Sequence, residues 1–368
     1  MPNRPRLPGR THRPLMRLAS AVALLAGLVD PAAPVQAQQP AATSPTPPDA
    51  PRVFLFATGG TISNRQEGGR LTVDELITSI PNLDRYARVE GEQFSNIASG
   101  ALTLEQWLDL SRRINKRFRD DAGLAGVVVT VGTDTLEELA YFLHLTVRDE
   151  RPVTVVGAMR NPSTLGYEGP ANLEDAFRVA AAAESRGMGT LVVLNDEINS
   201  ARDVTKTDAL RLDTFTSRTY GILGVADRDR VVYVRRPVMR HSARSEFDVD
   251  AITALPRVDV ILTYQSAPGD LIQSAVDAGA RGIVIAGAGA GATSGSQGQA
   301  LREAADQQVF VVTTTRTGSG RVMGGGRGGN AYRIQGGDLQ PLKARILLML
   351  ALATTSDAAE VRRIIGEY

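Results

Sequence analysis

Hydroxyl and carboxylate side chains follow two apolar runs of this sequence, at the points where strands would end. Thr61 follows a pair of glycines after the first run, and Thr133 and Asp134 follow the second. Paired glycines let the backbone turn sharply and bring a hydroxyl close to a substrate. Glycines are also common in ordinary turns, and Thr and Asp are favoured helix N-caps. The pattern therefore leaves open a catalytic role and a purely structural one.

Lys206, in the segment DVTKT (203–207), is a third polar group of interest. A lone lysine is usually a solvated surface group. Hydroxyl nucleophiles are weak at neutral pH and need a base, so Lys206 matters if the fold brings it to Thr133 and Asp134. A helix beginning near residue 136 would add free N–H groups suited to an oxyanion.

The sequence gives no support to a cysteine nucleophile or to a histidine-dependent triad. It contains no cysteine, which excludes thiol chemistry and leaves stability to core burial. The histidines, His12, His144 and His241, lie outside the segments above, so a Ser-His-Asp triad has no support. The candidate groups require no metal or cofactor.

Apolar runs alternate with helical patterns around these residues. The runs at 52–57, 126–131, 153–157 and 191–194 predict strands that are buried on both faces. Helices are predicted at 136–146 and 172–185, and a capping-box pattern begins another at Thr103. This alternation predicts an α/β fold with a doubly wound, mainly parallel sheet. Ligands of such sheets bind beyond the carboxyl ends of the strands, where Thr61 and Thr133 would lie.

A second, smaller alternation follows a charged stretch near residues 235–248. Its predicted strands are 258–264, 282–286 and 309–314, and its predicted helices are 271–278, 299–307 and 341–353. We therefore predict an N-terminal catalytic α/β domain over 52–236, a linker over 237–254 and a smaller C-terminal α/β domain over 255–368.

The N-terminus has the pattern of an export signal. Arginines precede an apolar run at 18–29, and Val35-Gln36-Ala37 ends in a small-x-small cleavage pattern. A membrane anchor is the alternative, but this run is short of the roughly 20 residues needed to span a bilayer. We expect a signal peptide over 1–37, cleaved after Ala37, and a flexible tether over 38–51, which is rich in Pro, Ala and Ser.

The charge balance gives no indication of a nucleic-acid partner. Of the 41 basic and 40 acidic residues, five arginines and one aspartate lie in 1–37, so the mature chain has 36 basic and 39 acidic residues, a net charge of about −3. Such a chain offers no basic face to neutralise phosphates. We expect a small-molecule substrate, no nucleic acid and no stable membrane anchor.

Several ordered segments together resemble the bacterial L-asparaginase and glutaminase-asparaginase family, from about residue 52 to the end of the chain. They are ATGGTIS (57–63), GEQFSNIAS (91–99), GTDTLEELAYFLHLTV (132–147), PVTVVGAMR (152–160), ARDVTKT (201–207) and KARILLMLALATTSD (343–357). With the export signal, the resemblance implies the periplasmic, type II branch. It also implies hydrolysis of L-asparagine, and of L-glutamine as a second substrate, to the acid and ammonia.

The resemblance implies a role for each matching residue. Thr61 takes the place of the nucleophile that forms an acyl-enzyme, and Thr133, Asp134 and Lys206 take the places of a second catalytic group. Those four form the implied catalytic set. The implied substrate-binding residues are Gly60, Ser99 for the α-carboxylate, Gly100, Thr133, Asp134 for the α-ammonium, and Ala158 through its backbone. Family members are usually homotetramers with shared sites, so Ser266 is expected near a subunit contact.

The chain departs from the family pattern at several positions. The lid segment SNRQEGGRLT (63–72) is short and lacks the usual tyrosine, near whose place Leu71 lies. Residues 317–329 contain no carboxylate to serve as its acidic partner. We hypothesise that Tyr167 supplies the missing hydroxyl from another loop. Val131 replaces a histidine, and Gly100 replaces a glutamine, whose loss should loosen the α-ammonium contact.

Two other functions are compatible with parts of the sequence. An exported two-domain α/β protein can also be an amino-acid-binding protein that never cleaves its ligand. The glycine-rich segment 287–291 follows a predicted strand and could be a nucleotide loop, although the acidic residue expected about 20 positions later is not evident. The ratio of asparagine to glutamine use depends on pocket differences of only about 1–3 kcal/mol.

Overall fold

A computed structural model describes residues 50–323 and 329–368. The predicted signal peptide, residues 38–49 of the predicted tether and residues 324–328 of the carboxylate-free segment 317–329 lie outside the described residues. Among the described helices, none is both long and apolar enough to cross a bilayer.

The N-terminal part of the described chain alternates strands and helices up to β5 and continues with short strands. Its elements are β1 (Arg52–Gly59), α1 (Val73–Thr78), β2 (Arg88–Ile97), α2 (Leu104–Asp120), β3 (Leu124–Thr130), α3 (Leu136–Thr146), β4 (Val153–Val156), α4 (Gly169–Ala181), β5 (Thr190–Leu194), β6 (Glu197–Ser200), β7 (Thr205–Lys206), β8 (Phe215–Thr216), β9 (Gly224–Ala226) and β10 (Val231–Tyr233).

These strands, apart from the β7-β8 pair, form a sheet in the order β10-β9-β6-β5-β4-β3-β1-β2. The pairs from β2 to β5 are parallel, whereas β5-β6, β6-β9 and β9-β10 are antiparallel. Side chains of β1 alternate between two cores: Phe54 and Phe56 pack with α2 and α3, and Val53 and Leu55 pack with α1 and α4. Helices therefore cover both faces, which confirms the predicted doubly wound, mainly parallel sheet.

The C-terminal part contains a smaller parallel sheet. Its elements are β11 (Val258–Leu262), α5 (Asp270–Asp277), β12 (Gly282–Gly287), α6 (Gln297–Asp306), β13 (Phe310–Thr315), β14 (Arg333–Gln335), α7 (Pro341–Thr354) and α8 (Ala358–Glu367). The strand order is β11-β12-β13-β14, and the three pairs are parallel. This confirms the predicted smaller C-terminal α/β domain. Helix α7 is apolar on nearly all sides and joins the two sheets, because it packs against both α3 and β12.

Local chemistry accounts for some of the element boundaries. Thr103 and Gln106 form the predicted capping box at the start of α2. Helix α4 begins at Gly169 rather than at residue 172, because Pro170 in its first turn suits a helix start. It ends at Ala181, and Ala183–Ser185 form a separate 3-10 turn, so the predicted helix 172–185 was too long at its C-terminal end.

The segment predicted as a linker packs closely on the N-terminal part. It contains a 3-10 turn, Ser242–Arg244, and the hydroxyls of Ser242 and Ser245 donate to the carbonyls of His144 and Leu145 at the end of α3. The connection is therefore ordered against the larger sheet. The domain boundaries given above remain predictions.

Candidate active site

The two threonine segments lie side by side because β1 and β3 are adjacent and parallel. Gly60 has φ of +89°, and a Cβ placed on it would lie 2.3 Å from the Cα of Gly132. Only glycine tolerates both this conformation and this backbone approach. Thr61 and Thr133 each follow one of these glycines; Thr61 is half-buried and Thr133 is buried.

Lys206 lies on β7 and joins two of the predicted site residues. Its Nζ donates to Oγ1 of Thr133 at 3.0 Å and to Oδ1 of Asp134 at 2.9 Å. The side chain of Lys206 is 16% exposed, whereas that of Asp134 is 85% exposed. One amine therefore holds a buried hydroxyl and an accessible carboxylate in a single hydrogen-bonded group.

The start of α3 does not have the ordinary N-cap that its sequence could provide. Thr135 occupies the N-cap position, but its hydroxyl makes no capping hydrogen bond and is buried without a partner. The Asp134 carboxylate pairs with Lys206 instead. The first-turn N–H groups of α3 therefore have no side-chain acceptor, which leaves them suited to an anionic or oxyanionic group.

Two further predicted segments border the same backbone. Ser99 begins the 3-10 turn Ser99–Ala101 after β2, and a Cβ on Gly132 would lie 2.9 Å from its Oγ. Ala158 follows β4 and is buried; a Cβ on the preceding Gly157 would lie 3.1 Å from Cγ2 of Thr133. Gly100 is exposed, and a Cβ on it would meet no atom within 4 Å. The predicted residues thus converge at the carboxyl edge of β1 to β4.

Family models match both parts of the chain. Residues 52–239 match the model described as "Asparaginase, N-terminal", and residues 257–365 match "Glutaminase/Asparaginase C-terminal domain". The chain belongs to the asparaginase family. Within the described residues, no group of three or more His, Asp and Glu side chains is arranged to hold a metal ion.

Individual members of the asparaginase family are similar over most of the chain. L-asparaginase 2 of Bacillus subtilis is 41% identical over 87% of this chain and 87% of its own length. A probable periplasmic L-asparaginase of Haemophilus influenzae is 37% identical over 87% of this chain and 94% of its own. The crystal structure of a probable cytoplasmic L-asparaginase from Campylobacter jejuni has a TM-score of 0.83 at 37% identity, covering 86% of this chain and all of that one.

Two residues that support the site were not predicted. The Glu137 carboxylate accepts from the Lys206 N–H at 3.2 Å and from the Thr205 hydroxyl at 3.0 Å, so it fastens β7 to α3. The fully buried Lys343 amine on α7 donates to the carbonyls of Glu137, at 3.0 Å, and Ala201. Burial lowers the pKa of Lys343 to about 8. A lysine in the mostly apolar helix α7 was the available signal.

The departures from the asparaginase family pattern have clear places in the structure. The lid is a small hairpin in which Asn64 pairs with Arg70, and Leu71 is buried beneath it. Val131 is fully buried in the core rather than in contact with solvent. Segment 287–291 folds back on itself, since Ala288 pairs with Ala292, so it is a turn and does not support the nucleotide-loop alternative.

Proposed function

We propose that this protein hydrolyses the side-chain amide of L-asparagine, with L-glutamine as its second substrate, through a threonine nucleophile. The mechanism rests on the contact of Lys206 with both Thr133 and Asp134. The close backbone approach of Gly60 to Gly132 brings the Thr61 segment alongside this group. The family members named above are enzymes by name, and they give no support to the alternative of a binding protein.

In the proposed reaction, the Thr61 hydroxyl oxygen attacks the amide carbon and forms an ester as ammonia leaves. Water then cleaves the ester and restores the hydroxyl, which releases the acid. The group formed by Thr133, Asp134 and Lys206 takes up and returns the protons of these two steps. The uncapped N-terminus of α3 supplies N–H groups for the developing negative charge.

Substrate binding follows from the charge and exposure of the surrounding groups. The exposed Asp134 carboxylate binds the α-ammonium, and the Ser99 hydroxyl binds the α-carboxylate. The backbone at Gly60 and Ala158 borders the reacting amide. Gly100 provides no side chain to reinforce the ammonium contact.

Steady-state ammonia release tests the reaction, with asparagine and glutamine as substrates and the free acids as controls. Thr61→Ala and Lys206→Met should each lower kcat/KM at least ~100-fold, because each removes a group that acts in the reaction. Thr354→Ala, which removes the hydroxyl of an exposed threonine on α7, should leave kcat/KM near the wild-type value. Wild-type rates in both Thr61→Ala and Thr133→Ala would show that the nucleophiles are wrongly assigned.

We also propose that the protein is exported to the periplasm and forms a homotetramer. Export rests on the sequence pattern of residues 1–37, and a mature N-terminus at Gln38 in the periplasmic fraction is its test.

Exposed Leu262, Tyr264 and Leu271 at the β11 edge, beside Ser266, form a surface that a second copy would cover. A monomeric mass by light scattering would contradict the assembly.

A further inference from the structure

The loop of residues 161–168 connects two parts of the candidate site. It follows Ala158 by three residues and leads into α4. At its end, the Tyr167 hydroxyl donates to the carbonyl of Ile62 at 2.6 Å. The next side chain, Glu168, accepts from the N–H groups of Met159 and, at 3.3 Å, Arg160. Neighbouring residues therefore hold the backbone directly after Thr61 and the backbone directly after Ala158.

The lid that follows Thr61 is held by contacts within itself and with neighbouring segments, among them those of Arg65 with Glu75 at 2.8 Å and of Arg70 with the Asn96 carbonyl. Its hairpin spans residues 63–71, and the Ser63 hydroxyl donates to the Gly60 carbonyl at 3.1 Å. The hairpin tip contacts the same 161–168 loop, because the Gln66 N–H donates to the Ser163 hydroxyl at 3.0 Å. The 161–168 loop therefore contacts the chain after Thr61 at two points: the Ile62 carbonyl, which precedes the hairpin, and Gln66 at the hairpin tip.

Tyr167 is suited to a fixed, neutral donor role. Its ring is half-buried and packs on the core beneath α1 and α4. Burial, and secondarily the Glu168 charge, raise the pKa of its hydroxyl, so it stays protonated at neutral pH. A carbonyl that accepts this hydrogen bond fixes the orientation of its own peptide unit, which joins Ile62 to Ser63 and so begins one residue after Thr61.

We infer that Tyr167 is a positioning residue for the nucleophile: its hydroxyl, by holding the Ile62 carbonyl, keeps Thr61 in attacking geometry. It does so from a loop outside the lid, in a chain whose lid carries no tyrosine. The inference rests on the proposed function, since it assigns the support of the nucleophile proposed there. A nucleophile displaced by about 1 Å can lose roughly 100-fold in rate.

Tyr167→Phe tests this inference, with Tyr233→Phe as the matched control. The control removes a hydroxyl that is also half-buried and hydrogen-bonded, 2.7 Å from the Ser185 hydroxyl on the same domain. We expect Tyr167→Phe to lower kcat for asparagine about 10- to 100-fold with KM within about twofold of wild type. Tyr233→Phe should change neither constant, and both variants should lose a similar amount of Tm. Rates are measured well below both Tm values.

Pre-steady-state kinetics show which step of the reaction is slowed in Tyr167→Phe. A positioning defect at Thr61 slows formation of the acyl-enzyme, so the initial burst of ammonia should slow in Tyr167→Phe. If Thr61→Ala loses activity but the kcat of Tyr167→Phe stays within about twofold of wild type, the role of Tyr167 is overturned and the proposed nucleophile is not. Equal losses of kcat in Tyr167→Phe and Tyr233→Phe would also overturn it, because they would reflect general destabilisation. Wild-type protein that releases no ammonia would overturn the proposed function itself.

Discussion

Gly100 shows how a single absent side chain affects the proposed substrate contact. A Cβ at this position meets no atom within 4 Å, and the backbone has no left-handed φ, so a longer residue fits without strain. Gly100→Gln should therefore add one hydrogen bond near the α-ammonium and lower KM for asparagine by about 2- to 10-fold, the equivalent of about 0.5–1.5 kcal/mol. Substrate-dependent kinetics measure this change, and kcat should stay near its wild-type value.

A matched control for that substitution lies far along the chain. Gly366 on α8 also has open space around a Cβ, so Gly366→Gln adds the same side chain away from the proposed site. Its KM should equal that of the wild type. A KM for Gly100→Gln that rises, or that does not move, would contradict the assigned contact.

At the scale of residues, the sequence predicted the groups that meet and missed those that support them. Thr61 and Thr133 follow glycines at predicted strand ends, and Lys206 lies in the segment ARDVTKT that carries the family resemblance. Glu137 stands in no comparable pattern, and its partners, the Lys206 N–H and the Thr205 hydroxyl, lie far from it in sequence. The carbonyls that Lys343 binds are equally distant from it. Such contacts depend on tertiary packing, of β7 on α3 for Glu137 and of α7 on α3 for Lys343, which no local pattern specifies.

At the scale of elements, a buried amine on α7 fastens the two elements that carry the proposed proton-transfer group. Lys343 binds the carbonyl of Glu137 on α3 and that of Ala201 before β7. Its pKa is lowered to about 8 by burial, against 10.5 for an exposed lysine. The unfolded chain therefore keeps a proton that the folded chain has lost between these two pH values, so this contribution to stability rises with pH across that interval.

Comparison of the wild type with Lys343→Met isolates the contribution of the buried amine to stability. The free energy of unfolding of the wild type, relative to the variant, should rise between pH 8 and pH 10.5 by up to about 3 kcal/mol. Denaturant titrations at several pH values measure it. Lys116→Met, which removes an exposed lysine paired with Asp120 on α2, should show little such dependence. A difference between wild type and Lys343→Met that is constant with pH would contradict the burial argument.

Strands were predictable from the sequence where they are both buried on two faces and long enough to form an apolar run. Strands β1, β3, β4 and β5 are apolar on both faces and were found from their runs alone. Strand β2 was missed because it lies at the sheet edge with mostly polar, partly exposed residues. The short antiparallel strands β6, β9 and β10 were missed because three or four residues give too little pattern.

At the scale of the whole molecule, the connection between the two sheets contacts a helix of each part: α8 in the C-terminal part and α3 in the N-terminal part. Arg240 hydrogen-bonds to Glu367 at the end of α8, and the Tyr368 hydroxyl accepts from the Glu246 N–H at 2.9 Å. On the other side, the His241 ring stacks on His144 of α3 at 4.6 Å between centroids. The sequence predicted a linker here because charged residues conceal the few buried ones.

This histidine pair predicts how the assembled fold responds to acid. Burial, and secondarily Arg244, lower the pKa of His241 to about 4, and burial, with His241 as a further cause, lowers that of His144. Both rings are therefore neutral in the folded protein, and the unfolded chain takes up protons first as the pH falls below 6.5. The stability contributed by neutral His241 is complete above pH 6.5 and is lost as the pH approaches 4, by up to about 3 kcal/mol.

His241→Phe keeps a stacking ring and cannot titrate, so its Tm should fall less than that of the wild type between pH 7 and pH 5. The Tm of both proteins is measured by circular dichroism. Equal falls in Tm for the wild type and His241→Phe would mean that protonation of His241 does not contribute to acid unfolding.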